Sequence, residues 1–253
     1  MKNACFLLVV AFTYSLNASE QFNRAKDKEI FIEGGIRFSN SAFDFKNGNN
    51  TDFYITDNQV LLEYGLSEFF AVGAELNYIS ATNTGEPGFS DHKFYLNGEY
   101  KSFYWQGNLF LSNEANDDNN FSGGDHFSLE LGYVLNGFGT KLDYIPSYEY
   151  DYQDVSEKLE TGSYLALSGI YELNYEDNIY AVLVGIEELD SSTEDGKDIG
   201  SESKYYRFEA YANIKAFNFE FLPTVGRRIG YDLDKVYDSI RIDSLSLKAR
   251  FRF

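Results

Sequence analysis

An all-β chain, closed into a single antiparallel up-and-down transmembrane β-barrel of about twelve strands, is the fold that three observations predict. The first is a period of two. Segments along the whole chain alternate apolar and polar residues, as a strand with one face in each of two environments must. The second is the connections, which alternate between short and long. The third is composition. Phe and Tyr number 23 and 21, aromatic residues make up 18% of the chain, and mean hydropathy is still only -0.37. A chain so aromatic and so polar must place its rings on one face of an alternating structure or at a boundary, where tyrosine has its ring in apolar surroundings and its hydroxyl in water.

The alternation predicts strands near 28–38, 55–64, 68–79, 91–100, 104–113, 126–135, 138–146, 162–173, 178–187, 203–214, 217–228 and 239–253. Ile30, Ile32, Ile36 and Phe38 form the apolar face of the first. Phe127, Leu129, Leu131, Tyr133 and Leu135 do so on the sixth, and Tyr180, Val182, Val184 and Ile186 on the ninth. The short connections are expected at 65–67, 101–103, 136–137, 174–177 and 215–216, where Gly, Asn and Asp favour tight hairpins. The long ones are expected near 39–54, 80–90, 114–125, 147–161, 188–202 and 229–238. No stretch reaches 18 consecutive apolar residues, so no transmembrane helix is predicted. A barrel strand needs only about ten alternating residues.

The two ends carry address-like features. Lys2, the apolar run Ala4–Phe12 and Ala18 read as a secretory signal peptide over 1–18, followed by a periplasmic N-terminal segment, 19–27, and the barrel, 28–253. The last strand alternates Phe253, Phe251, Ala249, Leu247 and Leu245 with Arg252, Arg250, Lys248, Ser246 and Ser244. A chain ending on such a strand with a terminal phenylalanine resembles the outer-membrane barrels of Gram-negative bacteria. In those families the final strand is read by the barrel insertion machinery, which implies Phe251 and Phe253 as the membrane insertion signal and the cell outer membrane as location. In size and strand number the chain is similar to small porin-like barrels, both twelve-stranded channels and solitary autotransporter-type barrels. That resemblance implies short periplasmic turns and long external loops.

The net charge of -19 falls almost wholly in the long loops. Glu114, Asp117, Asp118 and Asp125 lie in the third, and Asp190, Glu194, Asp195 and Asp198 in the fifth. They read as a solvated surface, or as an acidic mouth that gathers cations. Ser191–Glu202 places Gly196 and Glu202 as an EF-hand loop would, but its first position is Ser191 rather than Asp, so no metal site or other cofactor is assigned. The face opposite the apolar residues carries Glu33, Arg37, Glu63, Glu75, Lys93, Glu99, Glu130, Lys141, Asp143, Glu172, Arg207, Glu209, Glu220, Arg228, Lys248, Arg250 and Arg252. Charges facing lipid are costly, so these are expected to line the lumen. Nearly balanced in sign, they can pair and fill it, or form an electrostatically mixed pore.

Two functional classes follow: a porin-like channel for passive diffusion of small hydrophilic solutes, and a closed structural or surface-interaction barrel. The partners expected are outer-membrane lipid and lipopolysaccharide, the insertion machinery and divalent cations, with no nucleic acid for so acidic a chain. Catalysis is not expected. Neither Gly-x-Ser-x-Gly nor His-Glu-x-x-His occurs. His126-Phe127-Ser128 resembles the His-x-Ser of outer-membrane lipid A deacylases, but Leu129-Glu130-Leu131 do not continue that motif, and the register turns Ser128 toward the lumen.

Overall fold

The computed structural model describes residues 24–46, 48, 50–83, 88–89, 92–111, 121–122, 125–152, 159–191, 193–194, 197–198, 202–231 and 237–253. Twelve long strands form its wall: β1 (Ile30–Phe45), β2 (Asn50–Gly65), β3 (Phe70–Thr82), β4 (His92–Tyr100), β5 (Phe103–Leu111), β6 (His126–Leu135), β7 (Phe138–Ile145), β8 (Tyr164–Tyr175), β9 (Asn178–Leu189), β10 (Ser203–Ala216), β11 (Phe219–Tyr231) and β12 (Tyr237–Arg252). Each pairs antiparallel with its sequence neighbours, and β1 closes on β12 with Phe31 opposite Arg252, Ile36 opposite Leu247 and Phe38 opposite Leu245. Closure satisfies every wall strand on both edges, as a sheet in hydrocarbon requires. The expected signal segment lies outside the described residues.

The molecule is inside out relative to a soluble sandwich. Ile32, Val60, Leu62, Leu167, Val182, Val184 and Leu247 are exposed, whereas Glu33, Glu63, Asn97, Asn108, Ser168, Glu187 and Asn213 are buried. Small apolar clusters occur inside, one of Tyr104, Val134, Ile170 and Leu183, the other of Ala25, Phe31 and Ala71 with Leu61 against it. The outer face carries aromatic pairs such as Phe138 on Tyr171, Phe219 on Phe251 and Phe251 on Phe253, with centroids 4.8, 4.9 and 4.4 Å apart. Phe253 exchanges backbone hydrogen bonds with Ile30, so the last residue seals the seam between β12 and β1.

Two sequence expectations are corrected. Residues 39–54 are not a long loop: β1 and β2 stay paired up to Asp44 opposite Asn50, and Phe43 packs edge-on against Phe53 at 5.4 Å. Alternation there is diluted by Asn, Ser and Asp, but cross-strand partners keep the ladder going. The turn expected at 215–216 lies at 217–218, where Phe217 has φ 58° and is fully exposed. Lys101, Asn136 and Glu176 hold the same left-handed conformation in the other two-residue turns. The hairpin twist imposes it even on residues that it strains by about 1 kcal/mol. Tyr104, beside a short turn, points inward and donates to Gln106.

Above the wall, Phe121–Ser122, Glu149–Tyr152, Leu159–Glu160, Thr193–Glu194 and Lys197–Asp198 pair into a small five-stranded sheet. Three of the expected external loops therefore continue as β-structure, and the segment of Tyr148, Tyr150 and Tyr152 extends a hairpin there.

Candidate functional site

The site is the barrel interior. Every second residue of each strand points into it, so the site is assembled from all twelve strands rather than from loops. One wall is built around arginines. Arg250 donates through Nη2 to Glu33 Oε2 at 2.8 Å and through Nη1 to Glu220 Oε2 at 3.1 Å. This follows from register, because Glu33, Arg250 and Glu220 lie directly opposite one another on β1, β12 and β11. Lys248 reaches Glu33 at 3.1 Å, and Arg252 bridges Glu220 and Glu29 at 3.1 and 3.0 Å. Both Arg250 and Arg252 lie over the Phe31 ring. Farther up, Arg207 and Arg228 are also direct cross-strand partners. Their like charges are reconciled by the buried Glu187, which lies 3.5 Å from Arg207 and 2.9 Å from Arg228. Arg207 also binds Glu209, and Arg37 binds Asp57, at 2.9 and 2.8 Å.

On the opposite wall carboxylates outnumber cations, and amides join them. Lys141 sits between Glu130 and Asp143, 2.9 Å from each. Glu75 pairs with Lys93, its neighbour in register. A relay runs from Tyr104 through Gln106 and Asn108 to Ser128 and Glu130. Glu63 differs from the other acids here: its described partners are neutral. Tyr95 Oη donates to it at 2.7 Å, Asn97 Nδ2 at 3.0 Å, and the backbone N–H of Ala25 completes the set. Tyr95 reaches Glu63 by crossing β3 at Gly73, where a Cβ would fall 2.2 Å from the ring. Replacing Gly73 with valine is therefore expected to displace Tyr95 and cost about 1–3 kcal/mol through the lost hydrogen bond to a buried acid. Thermal unfolding of the detergent-solubilised barrel checks this; an unchanged midpoint would show that Tyr95 is not seated there.

The space between the walls is a cavity of about 500 Å³. Among the expected lumen charges, Glu33, Arg37, Glu63, Glu75, Lys93, Glu130, Lys141, Arg207, Glu209, Arg228, Lys248 and Arg250 line it. The others take structural places nearby. Asp143 contacts Lys141 and Arg207, Glu172 accepts from Tyr211, Glu99 lies 3.7 Å from Arg24, and Glu220 and Arg252 join the arginine wall. Glu187 is missing from the expected set, although its parity with Ala181, Leu183 and Gly185 marks it as inward.

The periplasmic end of the cavity is partly occupied by the chain itself. Arg24 and Ala25 are buried, Arg24 donates to the Glu68 carbonyl, and Lys28 N–H donates to Gly65 O at 2.9 Å. Gly65 permits this approach, since a Cβ there would lie 1.6 Å from the Lys26 carbonyl oxygen. The segment 19–27, expected only as a periplasmic leader to the barrel, thus packs from Arg24 onward into its mouth.

Of the acidic loop residues, Glu114, Asp117, Asp118 and Asp195 lie outside the described residues. Asp125 is exposed, Asp190 accepts from Ser163, and Glu194 and Asp198 lie on the short strands of the external sheet. Ser128 is buried and accepts from Asn108 at 2.8 Å, while the His126 ring is stacked between Phe110 and Tyr148 at 4.4 and 4.3 Å.

A closed sheet, an apolar outer belt and a charged interior define a transmembrane β-barrel. No protein-family model matches the chain, and no curated protein matches it. Among solved structures, it is similar to the COG4313 outer membrane channel from Pseudomonas putida F1, with a TM-score of 0.62 and 16% identity over 94% of this chain and 100% of that one. It is also similar to the beta domain of the Bordetella autotransporter BrkA, with a TM-score of 0.50 and 13% identity over 90% of this chain and 100% of that one. The fold is that of the outer-membrane barrels of Gram-negative bacteria.

Proposed function

We propose that the protein is an outer-membrane channel for passive diffusion of small hydrophilic solutes. The observation that carries this reading is the cavity of about 500 Å³ between an arginine-rich wall and one on which carboxylates outnumber cations. Opposed charges across a narrow aqueous space orient dipolar and zwitterionic solutes and replace part of their hydration. The similarity to a protein described as an outer membrane channel supports the same reading. The acidic residues of the external loops would raise the local concentration of cations at the entrance.

A closed barrel is the second reading, favoured by the buried Arg24 and Ala25 in the periplasmic mouth. Planar-bilayer recording on the purified protein separates the two. Discrete, reproducible conductance steps with a modest preference for cations are expected. Silence across a wide voltage range would exclude the channel and leave the closed barrel.

A further inference from the structure

The outward face of β11 and β12 carries charges that the lumen argument does not absorb. Outward positions on β12 run Phe251, Ala249, Leu247 and Leu245, then change to Asp243 and Arg241. On β11 they run Phe219, Phe221, Pro223 and Val225, then reach Arg227, the register partner of Asp243. At about 3.3 Å per residue and a tilt near 40°, Asp243 stands roughly 25 Å above Phe253, which is about the height of the apolar band of such barrels. Charges facing lipid within that band would be costly, so these mark its outer edge, where headgroups begin.

Their geometry suits an anion. Arg227 Nε binds Asp243 Oδ1 at 2.5 Å, and Arg241 Nε binds Asp243 Oδ2 at 3.2 Å. One carboxylate thus steadies two guanidiniums through their side nitrogens. The Nη groups of both have no partner among the described residues, and both side chains are 54% exposed. The cluster keeps a net positive charge. Pre-held guanidinium forks match phosphate oxygens, whereas a lysine would offer only a point charge.

We propose that Arg227 and Arg241, positioned by Asp243, bind the phosphorylated headgroup of an outer-leaflet lipid. This holds whether or not the lumen conducts. The test is native mass spectrometry of the purified full-length barrel in non-ionic detergent. It is titrated with diphosphorylated lipid A, and separately with the same lipid stripped of phosphate. Retention of the diphosphorylated form is expected to exceed that of the stripped form by about tenfold or more. That preference should vanish in the Arg227→Gln/Arg241→Gln variant. Equal retention of both lipids by the unaltered protein overturns the proposal, even where the variant fails to fold. So does an unchanged preference in the folded variant. Loss of the preference at inorganic phosphate only equimolar with the lipid assigns the site to free phosphate instead and overturns the lipid reading.

Discussion

Replacing Gly65 with valine is expected to widen the periplasmic mouth. A Cβ at this position would lie 1.6 Å from the Lys26 carbonyl oxygen and 2.4 Å from its carbonyl carbon, both backbone atoms that cannot rotate away. Gly65 is itself held at the end of β2 by pairing with Ala71, so the N-terminal segment is the part free to leave. Its departure removes the Ala25 N–H from Glu63, Arg24 from Glu99, and Ala25 from the cluster with Phe31 and Ala71. The cost should be about 1–3 kcal/mol for the buried Glu63, which keeps Tyr95 and Asn97. Unitary conductance in planar bilayers should rise, and the midpoint of thermal unfolding should fall. A rise in conductance without loss of the barrel would show that the segment restricts the lumen. An unchanged conductance with a lowered midpoint would confine it to a structural part.

Replacing Arg250 with alanine is expected to be the most destabilising single change in the lumen. Arg250 is buried and serves two acids on neighbouring strands, Glu33 and Glu220. Breaking a buried pair by deleting one partner costs about 3–5 kcal/mol, because the other charge stays buried. Here Lys248 still touches Glu33 and Arg252 still touches Glu220, which places the effect toward the lower end. The loss should be read by denaturant unfolding of the detergent-solubilised protein. Adding Glu33→Gln to the same chain should recover part of it, since contacting residues are not additive. The variant also removes a positive charge from the arginine wall, so the reversal potential should move toward cation selectivity. A fully additive double variant would show that Arg250 and Glu33 do not depend on one another.

Most of the wall was legible in the sequence, and the reason is that alternation is local. Each strand must present one face to hydrocarbon and one to the lumen, so the period of two alone places Ile32, Val182 and Leu247 outside and Glu33, Lys141 and Arg250 inside. Spacing between alternating runs locates the hairpins. Alternation fails where one face stops meeting lipid. The upper parts of β1 and β2 carry Asn, Ser and Asp among their residues, and pairing between the strands rather than face chemistry keeps them extended. Arg227, Asp243 and Arg241 sit outward for the same reason, since above the apolar band an outward charge meets headgroups and water instead of hydrocarbon.

What the amino-acid order determined by itself is therefore the strand number, the two faces and the residues offered to the lumen. What only the tertiary structure decided is which of those residues meet. Closure sets β1 beside β12 and so brings Glu33 to Arg250 across 217 positions of sequence. Packing at Gly65 and Gly73 admits a backbone segment and a tyrosine ring that no periodicity describes. Faces follow from each residue's own polarity, whereas partners follow from register around a closed sheet, and register is a property of the whole ring of strands.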